Sequence, residues 1–161
     1  DGKAPPPSRF PQLGDAMLSK ADRDSVGFPD LRALGLMHPA GLEAQGPYPL
    51  FVPMADMDGH DIAGIRLPEI EVPLATHTGW NYRRGRAAPA PQCGPNGLFL
   101  PFAATPRAGD PRRAISKRYP SRIEYAKAVA LAARSLRDQG LLLQEDVDRY
   151  IERARREPRV P

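Results

Sequence analysis

Proline sets the strongest limit on what this chain can fold into. It supplies 20 of the 161 residues, against an average of roughly 5%. All of them except Pro158 and Pro161 lie at or before Pro120. Each proline removes a backbone donor and fixes φ, which disfavours long helices and central strands. Residues 1–120 should therefore be loop-rich, with short strands. A segment of that kind tends to lie on a larger body instead of enclosing a core of its own.

Three stretches follow from this reading. Residues 1–46 are Pro-rich, extended and irregular, with scattered apolar pieces at Phe28, Leu31, Leu34 and Leu36. Residues 47–109 hold the best β signal. YPLFVPM at 48–54 reads as a strand that Pro53 pushes towards an edge, and Asp58-Gly59 is a turn dipeptide. HDIAGIR at 60–66 then reads as the return strand, so a short β-hairpin is expected. A brief extended piece, a turn at Thr78-Gly79 and a long Pro-rich loop follow, with Phe99 and Phe102 as anchors.

Residues 110–161 change character and become helical. Asp110-Pro111 reads as a cap followed by proline at the first helical position, opening a short helix towards Tyr119. Ser121 and Glu124 have the spacing of a capping box. Ile123, Ala126, Val129, Ala130, Ala133 and Leu136 then recur on one helical face, and Gly140 suits the position just past a helix end. Glu145 and Asp146 place negative charge on the first turn of another helix, whose apolar side is Val147, Tyr150, Ile151 and Ala154. The fold class expected is irregular α+β: a loop-rich N-terminal half with one hairpin, and C-terminal helices forming an αα-hairpin.

Composition narrows the function classes. The net charge is +4 and the only lysines are Lys3, Lys20, Lys117 and Lys127. The arginine runs at 83–86, 112–113 and 153–156 have no regular aromatic interleaving, so they read as solvated surface and no nucleic-acid partner is expected. No apolar run approaches the ~20 residues that span a membrane. The opening DGKAPPPSRFP has no signal-peptide pattern and looks internal. A single cysteine, Cys93, excludes an intrachain disulfide and fits a cytoplasmic setting.

The chemistry-bearing residues crowd into 56–81, DMDGHDIAGIRLPEIEVPLATHTGWN. An EF-hand loop starting at Asp56 fails at His60, Asp61 and Leu67. Asp56 and Asp58 are better explained as side chains bonding the turn backbone. A transition-metal site from Asp56, Asp58, His60, Asp61 and His77 has no recognisable spacing, so neither a metal nor another cofactor is expected. No serine sits in a nucleophile elbow, and no catalytic residue is expected here. The cluster Thr76-His77-Thr78-Gly79-Trp80-Asn81 holds the only Trp among hydrogen-bonding side chains. Trp in such a loop anchors against a parent domain or a ligand, which makes Thr76, Thr78, Trp80 and Asn81 candidates for lining a substrate pocket.

Four segments occur in order: DGxxPPPSRxP at 1–11, PYPLFVPMADMDGHDIAGIRLPEIEVPLATHTGWNYR at 47–83, LFLPFAATPRAGDPRRAISKRYPSRIEY at 98–125 and GLLLQEDVDRYI at 140–151. Together they resemble the C-terminal part of the bacterial alpha/beta hydrolase domain-containing protein family. The segments DxDGxxxAGIRLP and ATxTGWN carry the resemblance most specifically. It implies a longer parent, in which an upstream α/β-hydrolase domain holds the serine nucleophile and the catalytic histidine. This chain would then be the C-terminal region of a serine-dependent hydrolase, with that upstream domain as its partner. Two other classes stay open: a stand-alone binding module without catalysis, and a small metal-dependent enzyme using Asp56, Asp58, His60 and His77.

Overall fold

Prolines end two of the described strands and open one of the described helices. The computed structural model describes residues 4–11, 18–20, 29–36, 51–79 and 97–161. Strand β2 (Phe51–Pro53) ends on a proline, and so does β4 (Leu98–Pro101). Pro68 opens the one-turn helix α1 (Pro68–Glu71) at its first position, where the missing N–H has no intrahelical partner to lose. The strands pair in two separate antiparallel ribbons. β1 (Leu18–Lys20) lies against β2, and β3 (Ala75–Thr78) lies against β4. Both prolines fall at ladder ends, Pro53 opposite Leu18 and Pro101 opposite Ala75.

The expected hairpin is present but shorter than its sequence pattern. Gly59 takes φ +84° and its N–H donates to Asp56 O at 2.9 Å. Asp56 N–H then donates to His60 O at 2.8 Å and Ile62 N–H to Met54 O at 2.9 Å, around a bridge between Ala55 and Asp61. This is a three-residue loop closed by a left-handed glycine. Pairing stops at Ile62, so residues 63–66 do not continue a return strand. Gly64 at φ +90° turns the chain away, and the Arg66 guanidinium folds back onto Asp61 O at 2.7 Å. The outer edge of β2 goes instead to β1.

The helical end follows its local signals closely. Helix α2 (Ile115–Arg118) is followed by α3 (Arg122–Asp138) and α4 (Gln144–Arg155). Ser121 Oγ accepts from Glu124 N–H at 3.3 Å, as a cap should. Gly140, at φ +74°, donates to Arg137 O at 2.8 Å, and Leu141 N–H donates to Leu136 O at 2.9 Å. That pair of bonds is a Schellman motif, and it folds α4 back on α3 as the expected αα-hairpin. Two expectations are corrected. Asp110 does not open a helix, because α2 begins after Ala114 and the Asp110 carboxylate is held by Arg112. Ile123 is 68% exposed, and Tyr125 lies on the buried face in its place. Two residues are roughly 200° of helical turn, so both cannot face inward.

One apolar core joins the middle of the chain to its helices. Val72, Leu74, Phe102, Ile115, Tyr119, Tyr125, Val129, Ala154 and Val160 form it. The Val, Leu, Ile and Phe side chains among them contribute about 1.5–3 kcal/mol each when fully buried. Tyr119 donates to Pro73 O at 3.0 Å and meets the Tyr125 ring edge-on at 4.9 Å. Arg122 N–H donates to Pro161 O at 2.5 Å, which ties the end of the chain to the start of α3. Among the described residues no helix is long and apolar enough to cross a membrane.

Candidate functional site

The hairpin loop and β3 meet around a buried polar network. His60 lies just after the left-handed Gly59, and this directs its ring at the unpaired edge of β3. Its Nε2 sits 3.1 Å from Ala75 O and 3.1 Å from His77 N. One imidazole nitrogen either donates or accepts, so a single tautomer serves only one of these two groups. Burial pushes the His60 pKa below its ordinary value, and the Asp56 and Asp58 carboxylates pull the other way without reversing it. The His77 ring stacks 6.0 Å from that of His60 and meets the Phe99 ring edge-on at 5.1 Å.

Both loop aspartates are held by arginines. Asp56 Oδ1 accepts Asp58 N–H at 2.9 Å and His60 N–H at 3.0 Å, and Oδ2 accepts Arg66 at 2.8 Å. Burial alone would raise the Asp56 pKa, but the His60 N–H, Arg66 and the Asp58 N–H outweigh it and hold the carboxyl below its usual range. Asp58 receives both terminal nitrogens of Arg118, which in turn lies over the Phe102 ring at 4.2 Å. Thr76 donates to Asp58 O at 2.5 Å and accepts from Arg112 Nη1 at 2.9 Å. Arg112 also reaches Leu100 O at 3.1 Å and clasps Asp110 through Nε and Nη2, each at 2.9 Å. The network thus links the loop, β3, β4 and α2.

This placement assigns each sequence candidate. Thr76 is wholly buried and its hydroxyl is committed on both sides. Thr78 is half-buried at the end of β3. Trp80 and Asn81 lie outside the described residues. A cleft of about 490 Å³ between residues 64–72 and α3 is lined by Arg66, Glu71, Leu131 and Leu136, but by neither threonine. Asp56, Asp58 and His60 do come together, with one ligand atom from each within 4.8 Å of the others. Asp61 and His77 do not join that group among the described residues.

Sequence reasoning gave no role to Arg66 or Arg118, read Asp110 as a helix cap, and read Arg112 as solvated surface, although its side chain is 1% exposed and bound to Asp110. Arg66 had no usable signal, because the hairpin register sets His60 opposite Asp56, and Arg66 reaches Asp56 only after Gly64 turns the chain away. Arg118 had none, being 60 residues from its partner. Among the described residues, no hydrogen bond joins a serine hydroxyl to either histidine ring. Ser8 accepts from Phe10 N–H, Ser121 caps α3 and Ser135 bonds Gln139.

A family model described as an alpha/beta hydrolase domain matches residues 1–152. No curated protein and no solved structure matches the chain.

Proposed function

Because the chain belongs to the alpha/beta hydrolase domain family, we propose that it is the C-terminal region of a serine-dependent hydrolase acting on ester-like or related acyl bonds. In this reading the nucleophile and its base reside in an upstream domain of the same protein and form the acyl-enzyme there. The present region covers that domain, and Thr76, Thr78, Trp80 and Asn81 are its candidates for shaping the substrate pocket. A cytoplasmic location goes with this reading and with the single Cys93. The observation that carries the proposal is how the polar side chains are used. The Asp56, Asp58 and Asp110 carboxylates are bound to arginines, and the Thr76 hydroxyl is bound on both sides. Such a network holds a surface in shape and has no free nucleophile–base pair.

A stand-alone binding module is the competing reading, favoured by the self-contained core around α3 and α4. Hydrolysis of a short-chain p-nitrophenyl ester, by this chain alone and by the intact parent protein, separates the two. Turnover by the parent only, with Trp80→Ala raising KM more than it lowers kcat, is the result expected. Turnover by this chain alone that a serine-directed organophosphonate abolishes refutes the accessory role. A folded chain and a parent with no acyl-hydrolase activity favour the binding module.

A further inference from the structure

Two aspartates beside each other are common on protein surfaces and do not by themselves make a site. The His60 ring is what distinguishes this pair. Its side chain is 1% exposed, and its Nδ1, 3.8 Å from Asp56 Oδ1, is the one buried side-chain nitrogen or oxygen among the described residues with no hydrogen-bond partner. Orphaned polar atoms of this kind are rare, because a buried polar group without a partner keeps its full desolvation penalty. We propose that Asp56, Asp58 and His60 Nδ1 together hold one divalent first-row transition-metal ion.

Three features of the geometry support the assignment. The first is the lone pairs that remain. A carboxylate offers about four acceptor sites. Asp58 spends two on Arg118, and Asp56 spends three on two backbone N–H groups and Arg66. Each aspartate therefore keeps acceptor capacity, and the ligand atoms of the three residues already lie within 4.8 Å of one another.

The second is the far side of the ring. A metal-bound histidine ordinarily donates its other ring N–H to a carbonyl or carboxylate, which fixes tautomer and orientation. His60 Nε2 has Ala75 O at 3.1 Å, in position to accept that proton. The third is the pair of guanidiniums. Ligating carboxylates are themselves hydrogen-bonded in metal sites, and Arg66 and Arg118 supply those bonds here. Their positive charge also opposes a dication, so the affinity should fall below that of a site made of carboxylates alone.

The reading without metal leaves more unsatisfied. If Nδ1 carries the proton, it faces Asp56 at 3.8 Å, too far for a hydrogen bond. Nε2 then accepts from His77 N–H, and Ala75 O faces a lone pair at 3.1 Å. Metal binding would move the ring proton to Nε2, which turns the Ala75 O contact into a hydrogen bond at the expense of the one from His77 N–H, while Nδ1 gains a ligand. One imidazole among the donors favours zinc-like ions over Mg²⁺ and Ca²⁺, which prefer all-oxygen shells.

The tautomer gives the test a readout independent of any activity. Long-range ¹H–¹⁵N spectra of the His60 ring are recorded on the intact protein after chelator treatment, and again during titration with Zn²⁺. The expected result is saturable binding of one ion, a metal-shifted Nδ1 and a proton on Nε2, with excess Mg²⁺ unable to compete. His60→Asn and Asp58→Asn should each weaken zinc binding about tenfold or more. Absence of saturable zinc binding overturns the proposal, and so does binding that leaves the His60 ring signals unmoved. The unsubstituted protein decides the question even where a variant fails to fold.

Discussion

The pair Arg112–Asp110 gives the sharpest prediction, because its two side chains are 1% and 4% exposed. Replacing Arg112 by Met removes two charged bonds from the Asp110 carboxylate and strips partners from Thr76 Oγ1 and Leu100 O. Breaking a buried ion pair from one side costs about 3–5 kcal/mol, because a charge is left without compensation. At roughly 2–4 °C per kcal/mol for a chain of this size, Tm should fall by about 6–20 °C. The double variant Asp110→Leu/Arg112→Met removes both charges. It should lose the Arg112 bonds to Thr76 and Leu100 and the Arg112 backbone N–H bond to Asp110, about 1–3 kcal/mol, and be more stable than the single variant. Urea titration followed by circular dichroism measures both, with the midpoint read at unchanged m. The reasoning fails if Arg112→Met lies within about 1 kcal/mol of the parent sequence, which is the range of an exposed ion pair. It fails equally if the double variant is the less stable of the two.

Two further outcomes test the helical end. Gly140→Ala should cost about 1 kcal/mol in urea titration, because φ is +74° there; an unchanged midpoint would mean that the Schellman turn does not need its glycine. Glu69 is held below its usual pKa: burial would raise it, but Arg153 and Tyr150 bind the carboxylate and outweigh that. A carboxyl depressed on folding adds stability above its unfolded pKa and loses it as pH falls through the lowered value. Glu69→Gln should therefore flatten the loss of stability with acid below about pH 4.5, and equal acid slopes in the two proteins would count against this linkage.

How far the sequence could be read depended on the distance over which each signal acts. Ser121, Gly140 and the spacing of Val129, Ala133 and Leu136 act within one or two turns, and α3 and its turn into α4 follow them. Asp58-Gly59 also acts locally, so the reversal was legible and Gly59 adopts the left-handed φ it needs. Asp110-Pro111 carried an equally good local signal and misled, because Arg112 offers the Asp110 carboxylate a charged partner two residues on. Asp110 Oδ1 also accepts the Arg112 backbone N–H at 3.0 Å, yet no helix begins before Ile115. Ile123 misled for a different reason. Either it or Tyr125 could complete an apolar stripe, and the choice rests on tertiary contacts such as the ring of Tyr119.

The site was beyond reach because its partners lie far apart in the chain. Thr76 meets Asp58 across 18 residues, Arg112 meets Thr76 across 36 and Arg118 meets Asp58 across 60. Motif reasoning looks for chemistry within a loop, and within residues 56–61 only the Asp56 carboxylate bonds the turn backbone. The role of His60 became visible only once β3 was placed, because its Nε2 is defined by Ala75 O and His77 N–H, and its unpartnered Nδ1 by everything that fails to reach it. The two strands of that ribbon are themselves joined through residues 80–96, a stretch with no strand or helix signal of its own. Local periodicity could therefore find the helices, whereas the polar centre depends on which ribbon edge the loop meets. That is a tertiary choice, and the arginines enforce it by making each misplaced carboxylate a buried charge.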